Sequence, residues 1–76
     1  MEAQVKQIMS DILDLDTAAV GATTTQENTA NWDSMSHLNL VIALEQEFGV
    51  SFTPEEMEQL VSFGHILQIL ASKLRQ

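Results

Sequence analysis

The chain has no cysteine. Disulfides and thiolate metal sites are therefore excluded as supports for the small core that 76 residues can build. Stability has to come from side-chain packing. Basic residues are nearly as scarce. Lys6, Lys73 and Arg75 lie near the ends and face eleven acidic residues, for a formal net charge of −8. Binding of phosphate backbones needs clustered Lys and Arg, so nucleic acid is excluded as a direct partner. No apolar run approaches the ~20 residues of a membrane span. No N-terminal stretch combines a basic start, an apolar centre and a small-residue cleavage site. A soluble cytoplasmic protein of one domain, residues 1–76, is expected. Its acidic surface suits basic protein partners met by electrostatic steering, although plain solubility is the commoner reason for such a balance.

What is present is helical periodicity. Val5, Ile8, Met9, Ile12 and Leu13 recur at the spacing of one helix face and predict an amphipathic helix over residues 3–15. Residues 16–33 form a long connection with Gly21, three consecutive threonines and two asparagines; loops of this length are usually functional or mobile. A second helix is predicted from Ser34 to Phe48. Asp33 is its N-cap, and Gly49 takes the left-handed position beyond its end. Thr53-Pro54-Glu55-Glu56 has the order of a capping box with proline at the first helical position, and opens a short third helix. Ser62 caps a fourth, which ends in Lys73 and Arg75 near the negative end of its dipole. The expected fold class is all-α: a small four-helix bundle, three longer helices and a short third one, with a long loop after the first.

The second helix carries more apolar residues than one buried face needs. At 100° per residue Leu40, Val41, Leu44 and Phe48 share an arc of about 100°, which is the core face. Met35, Leu38 and Ile42 form a second ridge at i, i+3, i+7 on what should be the wet side. Either the loop or the third helix covers this ridge, or it stays exposed as an apolar centre with a polar rim for partners.

Ser34 stands at the mouth of this helix. A hydrolytic serine needs a positioned base and an oxyanion hole, and no G-x-S-x-G elbow is present. His37 follows one turn later, but the helical wheel turns it towards the core arc. No catalytic residue is assigned. No metal site is assigned either, since the D-x-D-x-D-G-x₅-E loop of ion sensors is absent. Two readings of Ser34 stay open: an ordinary serine in a helix's first turn, or a serine that receives a phosphate-linked group. Free N–H groups and the positive dipole end favour the second chemistry at such a place.

Asp33-Ser34-Met35, followed by Leu38-Asn39-Leu40-Val41-Ile42-Ala43-Leu44-Glu45-Gln46-Glu47-Phe48-Gly49-Val50, resembles the acyl carrier proteins. The four-helix order, the long first loop, the short third helix and the acidity agree with that family over nearly the whole chain. The resemblance implies that Ser34 carries 4′-phosphopantetheine, transferred from coenzyme A by a separate Mg²⁺-dependent phosphopantetheinyl transferase, with Asp33 and Met35 flanking the attachment point. The arm's thiol would hold acyl groups as thioesters, and the missing cysteine is then no handicap. The protein would be a monomeric shuttle and not an enzyme. Met35, Leu38 and Ile42 would dock on acyltransferases, ligases or synthases, with Asp33, Glu45 and Glu47 meeting their basic patches. Leu40 and Leu44 would line a cleft for the acyl chain.

The chain departs from the family's usual pattern in places. Ala30-Asn31-Trp32 stands where Leu-Gly is common before the Asp-Ser pair, and Trp32 is expected to anchor the loop. Ser36 and Asn39 hold positions that are often acidic in fatty-acid carriers, and His37 one that is often small. These differences lean towards a carrier for a specialised acyl-transfer or biosynthetic cluster rather than for housekeeping fatty-acid synthesis. The alternatives are an aminoacyl or peptidyl carrier, and an unmodified helical module that binds partners through the Met35/Leu38/Ile42 ridge.

Overall fold

The computed structural model describes residues 1–75. Its four helices are α1 (Glu2–Leu13), α2 (Ser34–Phe48), α3 (Pro54–Gln59) and α4 (Phe63–Leu74), with one 3₁₀ turn at Thr17–Ala19 in the first loop. Among the described residues there is no strand; an isolated bridge pairs Thr25 with Ser62. The all-α four-helix expectation holds.

Most helix boundaries follow from local chemistry. Asp33 has extended backbone and accepts the Ser36 N–H at 2.9 Å, so its carboxylate satisfies one of the orphan donors of α2. Gly49 closes the same helix at φ 65°. Its N–H and that of Val50 both donate to the Glu45 carbonyl, at 2.9 and 3.2 Å. The α3 capping box is complete: Thr53 Oγ1 accepts from Glu56 N, and Glu56 Oε1 accepts from Thr53 N at 2.8 Å. Ser62 caps α4 by accepting from His65 N at 3.1 Å.

The first helix is shorter than its apolar spacing predicts, ending at Leu13 and not at residue 15. Asp14 swings into the left-handed region at φ 54°, and the N–H groups of Asp14 and Leu15 both reach the Ser10 carbonyl. The Ser10 hydroxyl donates to the Leu15 carbonyl, and the Asn31 amide to the Leu13 carbonyl at 3.0 Å. Leu15 is thereby turned back, half-buried, against the core.

The core is built from one face of each longer helix. Val5, Met9 and Leu13 of α1, Leu40 and Leu44 of α2, and Ile66 and Leu70 of α4 are fully buried, with Leu60 closing the side beneath α3. Burial of each such side chain is worth roughly 1.5–3 kcal/mol. Val20 and Trp32, both buried, are the loop's contribution.

The long loop is knitted by its threonines and asparagines. Asn28 Oδ1 accepts from Thr25 N at 2.9 Å, while Asn28 Nδ2 donates to the Thr23 carbonyl at 2.7 Å. Thr24 Oγ1 accepts from Gly21 N and donates to the Ala19 carbonyl. Two backbone bonds then strap the loop to the α3–α4 junction: Gln26 N to Val61 O at 2.8 Å and Phe63 N to Thr24 O at 3.0 Å. These side chains do within a loop what a helix does for its own backbone.

Candidate functional site

Ser34 is the first residue of α2 and is exposed. Its neighbours define its chemistry. The Asp33 carboxylate is held below its usual range, chiefly by the Ser36 backbone N–H and then by the Ser36 hydroxyl, so it stays ionised and remains a cap. The first intrahelical bond runs from His37 N to the Asp33 carbonyl at 2.8 Å. With Ser36 N taken by the cap, the N–H groups of Ser34 and Met35 have no intrahelical acceptor. A phosphodiester on Ser34 would sit beside these donors at the positive end of the dipole. An exposed hydroxyl in that position fits a phosphopantetheine ester: nothing has to move to admit it.

His37, one turn on, is committed elsewhere. The indole Nε1–H of Trp32 can only donate, and it reaches His37 Nδ1 at 2.9 Å; the Met57 carbonyl can only accept, and it lies 2.8 Å from His37 Nε2. Both bonds are satisfied together by a neutral ring protonated on Nε2. That ring joins the end of the loop, α2 and the end of α3, and its nitrogens are not available as a base for Ser34. Trp32 is only 3% exposed, so it anchors the loop as expected.

The second ridge of α2 is bare. Met35 is 75% exposed, Leu38 55% and Ile42 44%. Neither the loop nor α3 covers it, so the ridge is not part of the core. Exposed Glu47 lies on the same helix. Glu45 has an internal partner that the sequence did not indicate: it is half-buried, and its Oε2 accepts from Phe52 N at 2.9 Å. Leu40 and Leu44, expected to line an acyl cleft, have no exposed surface at all. The face that would open to a cargo is the one that α1 and α4 need for the core, so no cleft stands open at these two residues.

A groove missed by sequence reasoning lies where the loop meets the α3–α4 junction. Ala22, Thr25, Gln26 and Glu27 form its loop wall, and Val61, Ser62 and His65 its helical wall. Its only sequence signal is His65 three residues after the capping Ser62; the walls meet through the strap, which local pattern does not reveal.

Comparison with known proteins agrees with this geometry. The family model described as phosphopantetheine attachment site matches residues 3–70. An acyl carrier protein of Thermosynechococcus vestitus is 34% identical over 71 residues, covering 93% of this chain and 88% of that one. Polyketide-8 synthase acyl carrier protein 2 of Streptomyces avermitilis is 31% identical, covering 93% and 82%. Among solved structures, the holo acyl carrier protein of Geobacter metallireducens superposes with a TM-score of 0.83 at 26% identity, over 99% of this chain and 88% of that one.

Proposed function

Because this chain belongs to the acyl carrier protein family and carries its acyl groups on covalent 4′-phosphopantetheine, we propose that Ser34 is the attachment residue. The observation that carries this reading is an exposed hydroxyl at the first position of α2, beside two N–H groups without intrahelical acceptors. In the attachment reaction the Ser34 Oγ–P bond forms and the diphosphate bond of coenzyme A breaks. The hydroxyl proton passes to the phosphopantetheinyl transferase, and the adenosine half leaves with the electron pair. The arm, once bound, supplies a thiol that holds acyl groups as thioesters. The chain itself supplies the anchor, the docking surface and no catalytic group.

Met35, Leu38 and Ile42 form the centre of that docking surface, with Asp33 and Glu47 at its acidic rim. Glu45 joins them through the carboxylate oxygen not engaged by Phe52. The partners are the transferase and then acyltransferases, ligases or synthases with basic patches around an apolar pocket. Ser36 and Asn39, at positions often acidic in fatty-acid carriers, leave this surface less charged, and the Streptomyces relative is named for a polyketide synthase. Both support a specialised biosynthetic pathway.

The direct test is mass spectrometry after incubation with coenzyme A, Mg²⁺ and a promiscuous transferase. One phosphopantetheine should be gained by the wild type and none by Ser34→Ala, which keeps its helicity. Gain by the variant, or no gain by the wild type while a control carrier is modified, would remove Ser34 from this role.

A further inference from the structure

The approach to Ser34 is tied down at successive residues. Asn31 donates its side-chain amide to the Leu13 carbonyl at the end of α1, at 3.0 Å. Trp32, buried, donates its indole N–H to His37 Nδ1 at 2.9 Å, and His37 Nε2 lies 2.8 Å from the Met57 carbonyl of α3. The two rings also stack, with centroids 6.1 Å apart and planes at 28°. Asp33 and Ser34 come next and are exposed, so their own side chains add no burial to hold them. Two residues of chain span at most about 7 Å, and the seat of Trp32 therefore limits where Ser34 can lie.

One link in this fastening is titratable. The indole nitrogen can only donate, so His37 Nδ1 must carry no proton for the bond to exist. Nε2 already holds the proton that goes to Met57, and a second proton can enter only at Nδ1. That turns an acceptor into a donor and sets two N–H groups against each other. The indole N–H of a buried side chain is then left without its partner, whereas the Met57 bond survives. Histidine is the side chain that ordinarily changes charge between about pH 5 and 8.

The charged groups around the ring do not make the same step. Asp33 on its own helix and Glu56 of α3 are both held below the usual carboxylate range, the first chiefly by the Ser36 N–H and the second chiefly by its bond to Lys73 of α4, so both stay ionised. Glu55 and Glu58 of α3, Glu27 of the loop and Asp14 at the end of α1 are exposed. Among the described residues no carboxylate pairs with the ring. An imidazolium at this place gains no ion pair in exchange for the bond it loses.

We infer that Trp32 and His37 are positioning residues for the attachment reaction: with His37 neutral they hold the Asp33–Ser34 turn where the transferase takes it up, and protonation of His37 releases it. The inference rests on attachment at Ser34. Once the turn is released, Ser34 is in the competent place for only a fraction of the time, and the apparent affinity of the transferase falls by that fraction. The loss belongs in KM, with kcat little changed.

Two measurements on the full chain test this. The chain has one tryptophan, so a single indole N–H resonance reports the bond in proton–nitrogen NMR. Between about pH 8 and about pH 5.5 it should move along one titration curve, coincident with that of the His37 ring. His37→Gln removes the titration and can keep both bonds, its amide oxygen accepting from the indole and its NH₂ donating to Met57; there the resonance should stay in place. His65→Gln, which removes the other histidine, should titrate as the wild type does. The second measurement follows loading with coenzyme A, Mg²⁺ and the promiscuous transferase. Taking kcat/KM as wild type over His37→Gln at each pH cancels the transferase's own pH profile. The ratio should fall several-fold over the same range, through KM. Trp32→Phe has no indole N–H to strand, and it replaces His37→Gln as the reference should that variant lose helicity in circular dichroism.

A flat ratio, a loss confined to kcat, or an indole resonance that titrates in His37→Gln as in the wild type overturns the inference. Loading of Ser34→Ala overturns attachment at Ser34 and this reading with it, whereas loading at Ser34 with a flat ratio overturns only this one.

Discussion

Trp32 and His37 show how one pair of side chains fixes the approach to Ser34. The indole N–H donates to the imidazole, and the imidazole bonds in turn to the Met57 carbonyl, so the pair closes a link from the loop through α2 to α3. Trp32→Phe leaves His37 Nδ1 without its donor, and His37→Phe leaves the indole N–H unpaired and the Met57 carbonyl with only the Leu60 N–H. Each should lower stability by about 1–3 kcal/mol, the cost of stranding a buried polar group. The double variant should lose less than the sum, because the groups share one network. Urea unfolding of the four proteins measures all three values. The wheel position of His37 towards the core was legible in the sequence. Its partners were not, since Met57 lies twenty residues away and no periodicity joins them.

At the scale of the helix, α2 holds two apolar faces with opposite duties. Leu44→Ala should cost about 2–5 kcal/mol through lost burial and the cavity left behind. Ile42→Glu, on the bare ridge, should leave the urea midpoint nearly unchanged while lowering kcat/KM for transfer to a partner enzyme. A large loss of helicity in Ile42→Glu would instead place that residue in the core. Both faces were readable, because a 3.6-residue period sorts Leu40, Val41 and Leu44 from Met35, Leu38 and Ile42 without any knowledge of neighbours. The caps at Asp33, Thr53 and Ser62 were readable for the same reason: each acts within three residues of itself. The end of α1 was not. It is set partly by Asn31, eighteen residues further on, bonding to Leu13. The internal bond of Glu45 was not readable, because its partner, Phe52 N, lies past the end of its own helix.

Over the whole molecule, charge is more one-sided than the net value conveys. Lys73 pairs with Glu56 at 2.7 Å and lies 5.5 Å from the Phe52 ring centre, and Lys6 lies 5.8 Å from that of Phe63. Two of the three cations thus serve the protein's own surface. Transfer to a basic partner should therefore weaken with salt: KM should rise several-fold as the Debye length shrinks from about 10 Å at 0.1 M towards 3 Å at 1 M, with kcat little changed. A salt-independent KM would mean that the apolar ridge acts alone. Architecture and charge were legible from composition and period, whereas the groove was not, because its walls meet only in the folded chain. The strap that joins them has a further consequence for the order of assembly. Gln26 and Val61 are 35 positions apart (61 − 26), so their bond closes a long loop with little local reward. Loop-closure entropy makes such a contact late in folding, after α2 and the chain on either side of it have docked. A group that bound both sides of this strap would hold the closed loop together and stabilise it by its own binding energy.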